Sequence, residues 1–356
     1  MTDPCSRTLL WLASGAGGRP PGQATDPDHT EALVSAAVRE GLAGMLFAAA
    51  RAGGWQRRLP AQAGRRLESI YYLTVQTNLR YLAALAGIAA EGVPFVLMQG
   101  AALLVTAYAD PGLRPLSDLD LWVLPEDHGR LADVLRRSGF DENPLAPGVF
   151  RRGAILVDVH TGLHWAERIR SSRFLFAGDP GTVYRRCAEQ AWGGATVRCL
   201  EPLDQAVYLA VHAIKHNLER LIWLADLNRL AAGWGAADWA AFRQRARELG
   251  QPRLGAILAC LRRDLFGLET PGVPVAGAID PLSAYLLRLR RFGPLPKWSS
   301  LVLLSAGSPA RQIRFAFEST FPRPEVLRQV FRDSEACPPA RLYGLRAAQM
   351  LGMLRD

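Results

Sequence analysis

The chain has 356 residues, 49% hydrophobic and 21% charged, with a formal net charge of +9. That balance is ordinary for a packed globular protein of two or three domains, or of one domain with large additions. Its core can be large enough to fold without a metal or disulfide staple.

All but two of the 42 basic residues are arginine; the lysines are Lys215 and Lys297. Arginine bias on this scale, beside many Ala, Gly and Pro, reflects a GC-rich coding sequence, so it is discounted as a nucleic-acid signal. The basic residues are spread along the chain and form no binding arm. A diffuse positive field still favours anionic substrates such as nucleotides. Cys5, Cys187, Cys199, Cys260 and Cys337 are odd in number and scattered, which fits neither a disulfide framework nor a zinc site. The opening MTDPCSRTLLWLASGAGG lacks the charged start of a secretory signal. Apolar runs such as WSSLVLLSAG (298–307) are too short to span a bilayer. A cytoplasmic protein is expected.

In chain order, residues 18–28 read as a Gly/Pro loop. Helical apolar spacing follows from Thr30 to about Arg51 and from Ala63 to Ala90, where Gly92 marks a stop. VPFVLM (93–98) predicts a buried strand, AALLVTAYA (101–109) a helix, and RPLSDLDLWV (114–123) a strand. PEDHGRLADVLRRSGF (125–140) predicts a helix with Pro and acidic residues in its first turn and Gly139 at its end. VFRRGAILVDVH (149–160) predicts a hairpin turning at Gly153. After about residue 200 the pattern is helical: two helices over 203–233 broken near Asn217, then 236–248, 252–266, 280–291, 309–318, 324–333 and 339–354.

The predicted strand 114–123 carries the strongest chemical signal. Residues i and i+2 of a strand share a face, roughly 6.6 Å apart, so Asp118 and Asp120 project together. Like charges that close raise each other's pKa unless a cation lies between them. Oxygen ligands of this kind suit Mg²⁺ or Mn²⁺. Asp158, in ILVDVH, interrupts a second apolar strand that can pair beside the first. Three aspartates on adjacent strands form a site for two divalent ions, the arrangement used in phosphoryl and nucleotidyl transfer. A bare Asp-x-Asp also suits a capping Asp118 and a solvated Asp120; the apolar Leu119 and Leu121 on the other face favour the metal reading.

His160 and His164, and His212 and His216, are each spaced i, i+4, a spacing that zinc sites use on helices. Neither pair has the glutamate of His-Glu-x-x-His. Polar residues bonded at a helix–helix contact would show the same spacing. Asp226 could orient one of these imidazoles. Tyr71, Tyr72, Tyr81, Trp165, Trp192 and Trp223 read as packing residues.

The order of VLMQG, LRPLSDLDLWV, LRRSGF and VDVHTGLHW, then LDQAVYLAVHAIKHNLERLIWLADL, resembles the DNA polymerase β-type nucleotidyltransferase superfamily. Within it, the chain looks like the bacterial group labelled uncharacterised nucleotidyltransferase. The resemblance runs from about Val93 to Leu230. It implies that Asp118 and Asp120 hold metal, and that Asp158 completes the site and helps deprotonate the attacking hydroxyl. It implies that Gly100 lets the backbone approach a triphosphate and that Arg114 and Ser117 contact phosphate oxygens. Gln99, His160, His212 and His216 would then line the substrate cleft between the core and the helical part. The superfamily's Gly-Ser after the first strand is absent, since Ala101 follows Gly100. The close group's Lys-Gly is here Gln99-Gly100.

An α+β fold is therefore expected: a small mixed-sheet nucleotidyltransferase core at 91–200, an N-terminal helical segment at 1–90 and a C-terminal helical domain at 201–356. The expected activity is metal-dependent transfer of a nucleoside monophosphate from an NTP, with Mg²⁺ or Mn²⁺, to a small molecule, peptide or protein. Two alternatives stand beside it: a nucleotide- or partner-binding protein without turnover, and a zinc hydrolase using the His pairs.

Overall fold

The structure, a computed structural model, describes residues 4–15, 27–144, 146–163, 171, 174–192, 195–275, 277–331 and 337–353. Four helices come first: α1 (Pro4–Ser14), α2 (Pro27–Glu40), α3 (Ala43–Ala52) and α4 (Ala61–Ala90). The mixed α/β part follows as β1 (Val96–Met98), α5 (Gln99–Thr106), β2 (Leu119–Trp122), α6 (His128–Arg137), β3 (Asp141–Glu142), β4 (Val149–Arg152), β5 (Ile155–His160), α7 (Pro180–Arg186), β6 (Ala188–Trp192) and β7 (Ala195–Cys199). The rest is helical: α8 (Pro202–Lys215), α9 (Leu221–Leu230), α10 (Ala236–Glu248), α11 (Leu254–Phe266), α12 (Pro281–Leu289), α13 (Ser299–Leu303), α14 (Pro309–Thr320), α15 (Pro324–Phe331) and α16 (Pro339–Met353).

The fold is α+β, with one seven-stranded mixed sheet ordered β3-β4-β5-β2-β1-β7-β6. β2 pairs parallel to β5 and antiparallel to β1, and β1 pairs parallel to β7. The central strands are short and buried, as strands covered by helices on both faces must be. One apolar cluster joins residues of the first helices (Leu9, Leu46, Leu85), the sheet (Leu97, Leu121, Val157) and the later helices (Val207, Leu224, Phe315). Helices α15 and α16 pack around a small cluster of their own, Leu327, Cys337 and Leu342. Among the described residues, no helix is long and apolar enough to cross a membrane.

The predicted helix over 30–51 is two helices, because Gly41 adopts the left-handed conformation (φ +77°) and breaks the run. The break near Asn217 is present, with Asn217 and Leu218 both at positive φ. The hairpin turns at Gly153 as its pattern predicts. Helices α1, α7 and α13 and strands β3, β6 and β7 had no counterpart among the predicted elements; β6 is a largely exposed edge strand with no clean apolar alternation.

The strand expected over 114–123 is confined to Leu119–Trp122. Residues 111–118 are irregular because α4 takes their backbone groups. Asn78, fully buried, donates to the carbonyls of Pro111 (2.6 Å) and Arg114 (2.8 Å) and accepts from the Leu116 N–H (3.1 Å). One turn on, the Tyr81 hydroxyl donates to the Ser117 carbonyl at 2.5 Å and lies 3.3 Å from that of Ala154 in the β4–β5 turn. Tyr71 donates to Asp110, which in turn accepts from the Gly112 N–H. The three residues form a rail that sets where the chain enters β2. Tyr71 and Tyr81 are thus hydrogen-bonding anchors as well as packing residues.

Asn78→Ala leaves two carbonyls and one N–H buried without a partner. A loss of about 3 kcal/mol is expected, read as a lower urea midpoint with an unchanged m-value.

Candidate metal and nucleotide site

The sheet register brings the carboxylates together. Asp120 on β2 lies directly opposite Asp158 on its parallel neighbour β5, and Trp122 opposite His160. Alternation places Asp120 and Trp122 on one face, with Leu119 and Leu121 buried on the other. Likewise, Asp158 and His160 share a face of β5. The His160 Nε2 lies 3.0 Å from Asp120 Oδ1 and 3.6 Å from Asp158 Oδ2. Asp120 is nearly buried, at 7% side-chain exposure; Asp158 and His160 are about a third exposed, at 32% and 30%. Potential ligand atoms of Asp120, Asp158 and His160 all fall within 4.8 Å of one another. Among the described residues this is the one such group of three or more His, Cys, Asp or Glu, and His212 and His216 are outside it.

Asp118 sits just before β2 and accepts a hydrogen bond from Ser117 Oγ at 2.9 Å. Burial, then the charge of Asp120, push its pKa up to about 6; Asp158 adds to the rise, while Ser117 and Arg114 oppose it. Burial is the larger cause, and the carboxylates of Asp120 and Asp158 add negative charge around it. For His160, burial opposes protonation, but the hydrogen bond to Asp120 and the charges of Asp158 and Asp120 outweigh it and raise the pKa. The donor set is the two carboxylates of Asp120 and Asp158 and the His160 imidazole, with the Asp118 carboxyl nearby. It fits a hard divalent ion such as Mg²⁺ or Mn²⁺, which takes oxygen ligands.

Gln99 opens α5 with a left-handed backbone (φ +51°), uncommon outside glycine. Its amide Nε2 donates to Asp120 Oδ1 at 2.7 Å and its side chain also hydrogen-bonds Tyr208. Gly100, directly after it, is buried against Arg114: a Cβ there would lie 1.7 Å from Arg114 Nη1. Arg114 is itself buried and pairs with Asp226 of α9, its Nη2 3.1 Å and Nε 3.3 Å from Oδ2. The Tyr108 hydroxyl donates to the other oxygen of Asp226 at 2.7 Å. Ser117 is exposed at the mouth of the site. The structure thus brings Gln99, Ser117, Asp118, Asp120, Asp158 and His160 together, and sets Gly100 and Arg114 behind them. It pairs Asp226 with Arg114, not with an imidazole as the sequence suggested.

His212 lies farther along α8 and His216 just past its end, ring centroids 4.6 Å apart, with Trp223 packed against both (5.3 and 5.5 Å). Burial, then the charge of Lys215, hold the His216 pKa down to about 4, so its imidazole is neutral at pH 7. Tyr208, one turn before His212, is buried; burial and then Asp120 push its hydroxyl pKa far up. His164 and Trp165 lie outside the described residues. Sequence reasoning missed Asn78, Tyr208 and Lys215. Of these only Lys215 had left a trace, as one of two lysines among 42 basic residues.

A mixed sheet that sets Asp120 and Asp158 in register, with Asp118 just ahead of β2, fits a nucleotidyltransferase core. Residues 26–267 match a family described as uncharacterised nucleotidyltransferase, and the chain belongs to that family. The match extends beyond the 93–230 resemblance at both ends, so it takes in α2–α4 and α10–α11. No curated protein and no solved structure matches the chain.

Replacing Arg114 by Met leaves Asp226 charged and buried. A loss of about 3–5 kcal/mol in unfolding free energy is expected. For Asp118 the sign is opposite. A raised pKa means that the folded chain holds the proton more tightly than the unfolded one, so stability falls as pH rises from about 4 to about 6. In metal-free protein at pH 7, Asp118→Asn should therefore gain about 1–2 kcal/mol after solvent screening. Thermal melts at pH 7 and pH 4 read this directly, and the gain should vanish at pH 4.

Proposed function

We propose that the protein transfers a nucleoside monophosphate from an NTP to an acceptor hydroxyl, with Asp118, Asp120 and Asp158 as the metal-holding and catalytic residues. The observation that carries this reading is the Asp120–Asp158 register within a chain of the nucleotidyltransferase family. Bound Mg²⁺ or Mn²⁺ would neutralise the carboxylates and the triphosphate charge. The acceptor oxygen forms a new bond to the α-phosphorus as the bond to pyrophosphate breaks. Asp158, about a third exposed, takes the hydroxyl proton. Asp120, nearly buried and gripped by Gln99 and His160, holds a fixed orientation. The half-exposed His212, His216 and Trp223 offer flat surfaces for a base or an acceptor along the helical wall.

A second reading is nucleotide binding without turnover. It is favoured by the hydrogen bonds from Gln99 and His160 to a single Asp120 oxygen and by the lack of a cation at residue 99.

The test is incubation with each of the four NTPs, Mg²⁺ or Mn²⁺, and cell extract, followed by pyrophosphate release and mass spectrometry for added monophosphate. Asp120→Asn and Asp158→Asn should each lower transfer by at least about 100-fold. Transfer that survives both substitutions sinks the assignment. NTP binding with no pyrophosphate release by wild-type protein selects the second reading.

A further inference from the structure

The turn after β1, where Gln99 stands, contributes no positive charge to the site. The nearest arginine behind it, Arg114, is buried and paired with Asp226. A triphosphate adds several negative charges to those of the carboxylates, so any side-chain cation for it has to come from another element. Helix α8 offers one. Its residues Tyr208, His212 and Lys215 are spaced i, i+4 and i+7 and share one side of the helix. The first of them is hydrogen-bonded to Gln99, whose amide holds Asp120. That side of α8 therefore faces the carboxylates, with Lys215 about 10 Å along the axis from Tyr208. Its charge acts on His160 at the end of β5 and on His216 beside it. Lys215 is only partly buried, so part of its side chain meets solvent.

We propose that Lys215 is a substrate-binding residue that holds the phosphate oxygens of the NTP, the charge supplied from the helical wall in place of the turn after β1. This rests on the nucleotidyl-transfer reading of the same site. A further consequence is that Gln99 serves the metal side, by orienting Asp120, and leaves the phosphates to α8.

The test is calorimetry on the full chain, titrating Mn²⁺ alone and then each of the four NTPs in the presence of Mn²⁺. Lys215→Met keeps the apolar stem and removes the charge, so the helix end should fold; an unchanged circular dichroism melt checks this. The expected result is NTP affinity about 10- to 100-fold weaker, with Mn²⁺ affinity within twofold of wild type. Lys215→Arg should restore part of the loss. Equal NTP affinity for Lys215→Met and wild type overturns the role of Lys215 alone. A wild-type protein that binds no NTP overturns the nucleotidyl-transfer reading beneath it, and this role with it. Weaker binding of Mn²⁺ itself by Lys215→Met would show that the residue supports the carboxylates, and would also overturn the proposal.

Discussion

The buried pair of Arg114 and Asp226 is the constraint on which the rest of the site depends. Its members are 112 residues apart, in the segment before β2 and on α9. Burying a charge is tolerable only when it is matched, and here the match also receives the Tyr108 hydroxyl. The guanidinium fills the space above Gly100, so the start of α5 must close against it. The backbone of the same segment is held from the other side by Asn78 and Tyr81. Asp118 and Asp120 leave this clamp with little freedom. Helices on both sides of the α/β core therefore help build the site, which agrees with a family match that runs well past the strands.

Within that frame, the site answers its own negative charge with hydrogen bonds. Gln99 donates to the Asp120 oxygen that also faces His160, and Ser117 donates to Asp118. Neutral donors can steady carboxylates without cancelling their charge, and after burial the charges of Asp120 and Asp158 still add to the rise in the Asp118 pKa. A full positive charge at residue 99 would have paired with Asp120 and competed for it. An amide there keeps the carboxylate oriented while leaving it attractive to a cation.

The strand alternation around Asp120, the second interrupted strand at Asp158 and the hairpin at Gly153 were legible because period-2 patterns and turn glycines act locally. The order of segments was specific enough to suggest the family. The limits were equally physical. Asn78 and Tyr81 look like any polar and aromatic residues on a long helix; their importance lies in partners 36 residues away. Arg114 reads as a phosphate ligand in the linear motif, and only the three-dimensional position of Asp226 reveals its buried partner. Gly100 suggested close approach of a ligand, and the structure shows close approach of Arg114. The shortness of β2 follows from Asn78 capturing the backbone before it, which no propensity encodes. Edge strand β6 lacks alternation because so much of it meets solvent.

The parallel register of β2 against β5 also has a meaning in time. Asp120 and Asp158 stand on strands joined by a crossover through α6, β3 and β4, so no local segment can hold them side by side. Non-local pairings form late, after loop-closure entropy has been overcome. During synthesis and early collapse, the aspartates are ordinary separated acids with no reason to capture an ion. The electrostatic conflict arises only once the sheet has closed around them. A chain that misfolds before this point never brings these acids together, and their juxtaposition therefore reports a closed sheet.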